Sequence, residues 1–378
     1  LRQGEGSDYG DINIPLRYKI LQSSAPRSLK EKALALCVQP GKMDGKESEW
    51  LQLVITFPWD ILSSDVIRPS TEWFDNLRNQ LNVSTYGHNE AKSLVVREVA
   101  MGMLTQNTQQ RPPIAFVGPP GNGKTSLAAG VARALNRPLV VIALGGATDG
   151  SFLNGHQYTF EGSTPGRILS ALKDTKCTDP VILFDEVDKV GANSRGSEII
   201  GQLIHLTDPS SPGFYDCYLG HEIDVSNALF LFSLNDQSLV NPVLLNRLRL
   251  LKTQGFKKKD KIDMFNSHLL PQCTVGLEDT ANITFSDDAV RTLVDQYDGN
   301  EEGVRKLKQN ADEVISHVLC NQLQHFSDDQ PGSKKNTRKR KRRNALTTLH
   351  IEAAMVHNAL LSNTSGTVLP PSVQHMYL

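Results

Sequence analysis

Residues Gly118-Pro119-Pro120-Gly121-Asn122-Gly123-Lys124-Thr125 have the types and spacing that hold a chain of phosphates. A strand that turns through glycines into a helix leaves backbone N–H groups pointing into a hollow at the positive end of the helix dipole. The apolar run Ile114 to Val117 supplies such a strand, and the run that opens at Ser126 supplies the helix. Lys124 then places its ammonium on the outer phosphates. The Thr125 hydroxyl suits Mg²⁺, an ion that keeps most of its other ligands as water and phosphate oxygen.

A second group lies further on, where Val181-Ile182-Leu183-Phe184 runs into Asp185-Glu186. An apolar strand here delivers two carboxylates to its C-terminal end, the edge at which open α/β sheets bind ligands. Asp185 is expected to hold Mg²⁺ through water and Glu186 to polarise an attacking water. In this order the two motifs point to ATP hydrolysis, with ATP and Mg²⁺ as the cofactors.

These residues need a rigid frame. Strand candidates Ile114 to Val117, Leu139 to Leu144, Val181 to Phe184 and Ala228 to Leu234, with a weaker fifth from Leu248 to Thr253, alternate with helical stretches. Apolar strands separated by helices indicate a parallel sheet buried on both faces. Before it, helices are expected from Arg27 to Val38 and Glu49 to Phe57, with Trp50, Phe57 and Trp59 as their core. After Lys257 the pattern reads as wholly helical, ending in a helix from His350 to Leu361. The expected division is an N-terminal arm and helical segment over 1–70, a nucleotide-binding domain over 71–256, a helical lid over 257–362 and a tail over 363–378. The lid carries an insert, 326–347, in which eight residues of the ten from 334 to 343 are basic; it buries nothing and is expected to be disordered.

The 378 residues carry a formal net charge of −1, so no global field recruits nucleic acid or a membrane. Five scattered cysteines without a C-x-x-C pair suggest neither a disulfide framework nor a zinc knuckle, and point to a reducing compartment. No stretch has the ~18 apolar residues that span a bilayer. An intracellular, cytoplasmic location is expected; the basic run is compatible with the nucleus, and Leu at position 1 with a trimmed chain or a removed organellar leader.

The stretch from Thr85 to Arg305 resembles the AAA+ ATPase module of Lon proteases. Gly155-His156-Gln157-Tyr158-Thr159-Phe160-Glu161-Gly162-Ser163-Thr164-Pro165-Gly166-Arg167-Ile168 is similar to the segment that carries that family's first pore loop. Thr207-Asp208-Pro209, the run Phe214 to Leu219 and the Trp50 to Trp59 corner carry the likeness beyond the nucleotide motifs. The resemblance implies an AAA+ P-loop NTPase with a five-stranded parallel sheet, a C-terminal helical lid and a short N-terminal helical segment. It implies roles for Asn235 as sensor 1, Arg247 as the arginine finger that reaches a neighbour's nucleotide and Arg305 as sensor 2. Tyr86 and Gly87 match the adenine site, and Phe160 with Glu161 the pore loop that grips polypeptide. The resemblance also implies a homo-oligomeric, hexameric ring acting on a polypeptide, with a nucleic-acid motor using 334–343 or a nucleotide-gated scaffold as alternatives. Asn246 stands where the family usually has Asp, and Glu161 where it usually has an apolar residue. The few residues after the lid lead to the expectation that this chain does not itself cut peptides.

Overall fold

The computed structural model describes residues 15–37, 44–63, 70–104, 112–147, 149–190, 194–210, 213–277, 281–297, 301–328 and 347–364. The basic run 334–343, most of the insert around it, the arm before residue 15 and the tail beyond 364 lie outside the described residues. The chain divides into two compact units. One combines 1–82, 89–117 and 125–252; the other combines 83–88, 118–124 and 253–378.

The first unit is built on a five-stranded parallel sheet. Its strands are β1 (Ile114–Val117), β2 (Leu139–Ala143), β3 (Val181–Asp185), β6 (Leu229–Leu234) and β7 (Arg249–Lys252), in the order β2-β3-β6-β1-β7. All of β1 and the first four residues of β3 are buried, as continuous apolar strands must be when helices cover both faces. The α/β fold expected from the sequence is the fold observed. An antiparallel hairpin of β4 (Gly213–Asp216) and β5 (His221–Asp224) is added to it; the short Tyr218-Leu219-Gly220 turn between them gave no strand signal of its own.

The N-terminal helices Arg27–Leu36 and Gly45–Thr56 share one apolar core with this sheet. The second begins four residues before the expected start, at an Asp44 cap whose partner Glu47 returns a bond to the Asp44 N–H at 3.2 Å. Trp50 is fully buried and Phe57 and Trp59 are nearly so.

The second unit contains helices Lys258–Met264, Asp287–Tyr297, Arg305–Asp328 and Ala353–Thr364, with a π-helical turn at Phe265–Leu269. The expectation of a wholly helical region is corrected here by a parallel pair, β8 (Ala281–Phe285) with β9 (Thr347–Ile351). Ile283 opposes Leu349 and Phe285 opposes Ile351, and all four are buried. This is a period of two, and the last helix therefore starts at Ala353, after the strand that takes His350. Likewise the insert's first residues, 326–328, continue the long helix, and its last, Thr347, opens β9.

Candidate active site

Parallel strands in one sheet put the C-terminal ends of β1, β3 and β6 on one edge. β3 pairs with β6 in the register Phe184↔Phe232, so that Asp185 follows beside Ser233. The Ser233 hydroxyl donates to Asp185 Oδ1, and the Glu186 N–H donates to the same oxygen at 3.1 Å. Both bonds converge on Oδ1, which leaves Oδ2 for a metal-bound water. By chemistry, a carboxylate oxygen of Asp185 and the hydroxyl of Thr125 are both donors of the kind that suits Mg²⁺. Glu186 itself stands at φ 57°, an uncommon backbone state for a residue with a side chain, and is exposed. The turn Val187–Lys189 follows at once, and its buried Asp188 accepts the Asn235 N–H at 3.1 Å. Asn235 is thereby fixed at the end of β6. Ser233 and Asp188 carry no motif of their own, and sequence reasoning missed both.

Arg247 is held within its own chain. Its guanidinium donates to Asp208 Oδ2 at 3.2 Å and to the Ile204 carbonyl at 3.2 Å. Hydrogen bonds from Ser210, and then the Arg247 partner, hold the Asp208 carboxyl down to about 2. About a third of the Arg247 side chain is exposed (31%). A cavity of about 60 Å³ lies at the opposite edge of the sheet, against Ile114, Leu229, Arg137 and Asp208; Asp185 and Glu186 do not line it.

In the second unit the phosphate loop is assembled from distant stretches of chain. Asn122 is fully buried, and its amide donates to Thr253 O at 3.0 Å and Thr253 Oγ1 at 2.7 Å. The side chain expected among the cofactor-binding groups thus anchors the loop. The Val304 N–H donates to Gly121 O at 3.0 Å, and Gly303 approaches so closely that a Cβ there would collide with the Pro120 carbonyl. Arg305 follows at the start of its helix, exposed, with its backbone N 3.2 Å from the point where a Gly121 Cβ would lie. Lys124 folds onto its own loop, donating to Gly118 O at 2.6 Å and Pro119 O at 2.9 Å. A phosphate seated on the loop offers the ammonium a stronger, charged acceptor. His88 meets the Asn122 carbonyl at 2.9 Å and packs on Phe256 at 5.0 Å; Tyr86 lies 6.5 Å from Phe256 and 5.7 Å from His268. Tyr86 thus has two ring neighbours, Phe256 and His268, that the sequence did not indicate, and Phe256 joins it to His88.

Phe160 and Glu161 lie on another stretch of chain. They occupy the loop between Gly155 and Gly166 in the first unit, and Phe160 is 60% exposed.

Comparison with known proteins agrees with this geometry. Residues 114–255 match the family described as "ATPase family associated with various cellular activities (AAA)". The chain is 33% identical over 292 residues to the mitochondrial Lon protease homolog of Schizosaccharomyces pombe, covering 76% of this chain and 26% of that protein. It is 34% identical over 272 residues to the mitochondrial homolog of Drosophila melanogaster, covering 71% and 26%. With Lon protease 2 of Bdellovibrio bacteriovorus it shares 32% over 324 residues, covering 83% and 39%. The chain thus spans between about a quarter and two fifths of the length of these relatives. No helix among the described residues is long and apolar enough to cross a membrane. Residues 114–255 are thus an AAA ATPase domain, and most of the chain is similar to part of the Lon proteases.

Proposed function

We propose that this chain is an ATP-driven protein-remodelling motor that works as a ring and pulls on a polypeptide through the loop around Phe160. The observation that carries the reading is the bonding at the end of β3. Ser233 and the Glu186 N–H fix one oxygen of Asp185, while the Glu186 carboxylate stays exposed to take a proton from water. Lys124 turns from the Gly118 and Pro119 carbonyls to the β and γ phosphates, and Thr125 and Asp185 hold Mg²⁺. Bound there, Mg²⁺ neutralises charge on the transferring phosphoryl group. Asn235, its backbone held by Asp188, orients the attacking water with its amide. Arg305 senses the γ-phosphate from the lid.

Arg247 serves the nucleotide of a neighbouring subunit after leaving Asp208, and this makes turnover depend on assembly. Phe160 supplies an apolar plane that contacts any sequence without a particular partner.

Glu186→Gln tests the reading. ATP turnover is expected to fall by about 10²- to 10⁴-fold with ATP binding retained, and mass measurement with ATP is expected to give a stable ring. A monomer under all conditions removes the motor.

A further inference from the structure

The tip of the Phe160 loop is a self-bonded turn. The Phe160 N–H donates to Gln157 O at 3.1 Å, the Ser163 N–H to Phe160 O at 3.3 Å and the Ser163 hydroxyl to Tyr158 O at 3.1 Å. Tyr158 and Phe160 therefore move together, yet they face different surroundings. Phe160 is exposed. Tyr158 is half-buried and stacks on Trp50, with centroids 5.4 Å apart and planes 29° from parallel, and meets Tyr218 edge-on at 6.5 Å.

Trp50 is anchored: it is fully buried, and its indole N–H donates to Leu219 O at 3.2 Å. The Lys32 ammonium lies 5.1 Å from the Trp50 ring and 5.5 Å from the Tyr158 ring, so one cation rests against both aromatic faces. Lys32 belongs to the helix Arg27–Leu36 and Trp50 to the helix Gly45–Thr56. At the base of the loop, the His156 N–H donates to Thr164 O at 3.2 Å and the Gly166 N–H to Asp216 Oδ2 at 3.0 Å. Between those closures, the ring contacts of Tyr158 fasten the tip to the rest of the first unit.

We propose that Tyr158 is a positioning residue that couples the N-terminal helices to the Phe160 loop, with Trp50 and Lys32 as its clamp. Displacement of Phe160 passes through the rigid turn to Tyr158 and on to helices Arg27–Leu36 and Gly45–Thr56, and movement of those helices resets the loop. The proposal rests on reading 155–166 as the polypeptide-gripping loop.

The test uses the full chain with Tyr158→Ala, Tyr158→Phe, Lys32→Ala and Phe160→Ala. Hydrogen exchange over 156–163 is measured without polypeptide, and ATP turnover is measured with and without a carboxymethylated, permanently unfolded polypeptide. Tyr158→Ala is expected to speed loop exchange about 10-fold, with β1, β3 and β6 unchanged. It also raises the half-saturating polypeptide concentration about 5-fold at unchanged basal turnover. Tyr158→Phe, which keeps the stack, restores both. Lys32→Ala, at an exposed position that does not endanger folding, gives a smaller change of the same sign. Wild-type exchange over 156–163 in both Tyr158→Ala and Lys32→Ala overturns the coupling. If loop exchange quickens in Tyr158→Ala while Phe160→Ala keeps full stimulation by polypeptide, the fastening stands and the gripping role of the loop falls.

Discussion

The phosphate loop and the Phe160 loop are both rich in glycine, and they are held in opposite ways. The phosphate loop is fixed at several points along its length: Gly121 O takes the Val304 N–H, the Asn122 side chain is sealed against Thr253, and Gly303 touches the Pro120 carbonyl with no room for a methyl group. The Phe160 loop is pinned at its base by Asp216 and near its tip by one aromatic stack. A triphosphate needs N–H groups in fixed places, because misdirected dipoles lose their interaction with it. A loop that follows a sliding polypeptide needs an anchor that yields. The difference separates a rigid binding element from an element able to move as one piece.

Substitutions test the contrast. Lys124→Ala is expected to weaken ATP binding by about 10²-fold or more, since it removes the charge-assisted bonds of the ammonium; titration with a fluorescent ATP analogue measures this. Gly303→Ala forces the loop off the Pro120 carbonyl, with a loss of about 1–3 kcal/mol in unfolding free energy and weaker ATP binding. Denaturant titration reads the first effect. An unchanged midpoint would mean that the loop yields, and the contrast would fail.

On the other side of the comparison, burial pushes the Asp216 carboxyl up to about 6, against the pull of the N–H groups of Leu219, Gly166 and Tyr218. The folded acid holds its proton more tightly than the unfolded chain does. Its contribution therefore favours the fold most at about pH 4 and below, and is lost as the pH rises through about 6, by at most about 3 kcal/mol. Urea midpoints across that interval should fall with rising pH, and Asp216→Asn should flatten this part of the slope. Phe160→Ala has the smallest expected effect on stability, within about 0.5 kcal/mol, because the ring is exposed. Its expected cost is the polypeptide response.

The sequence showed most clearly what is local in the chain. Lys124, Thr125, Asp185 and Glu186 sit in contiguous motifs whose flanking apolar runs give strand and helix directly, and the order of those runs gave the parallel sheet. What remained hidden depends on pairing between distant residues. β8 and β9 are short strands among helices, and each finds its partner only across the insert. Ser233 reads as a gap in an apolar strand until the register sets it beside Asp185. Trp50 reads as a core residue of its own helix, and only folding brings Tyr158 and Lys32 against its ring. The hold of Asp208 on Arg247 was equally invisible, because a Thr-Asp-Pro run carries no sign of its ionic partner.

The proposed motor requires that one subunit's Arg247 complete the site of another. Equal amounts of Arg247→Ala and Glu186→Gln chains, each nearly inactive alone, test it when mixed and assayed for ATP turnover. In mixed assemblies a site with Glu186 meets a neighbour with Arg247, and roughly a quarter of wild-type turnover should return on statistical mixing. No recovery on mixing, or full activity of Arg247→Ala alone, would contradict it.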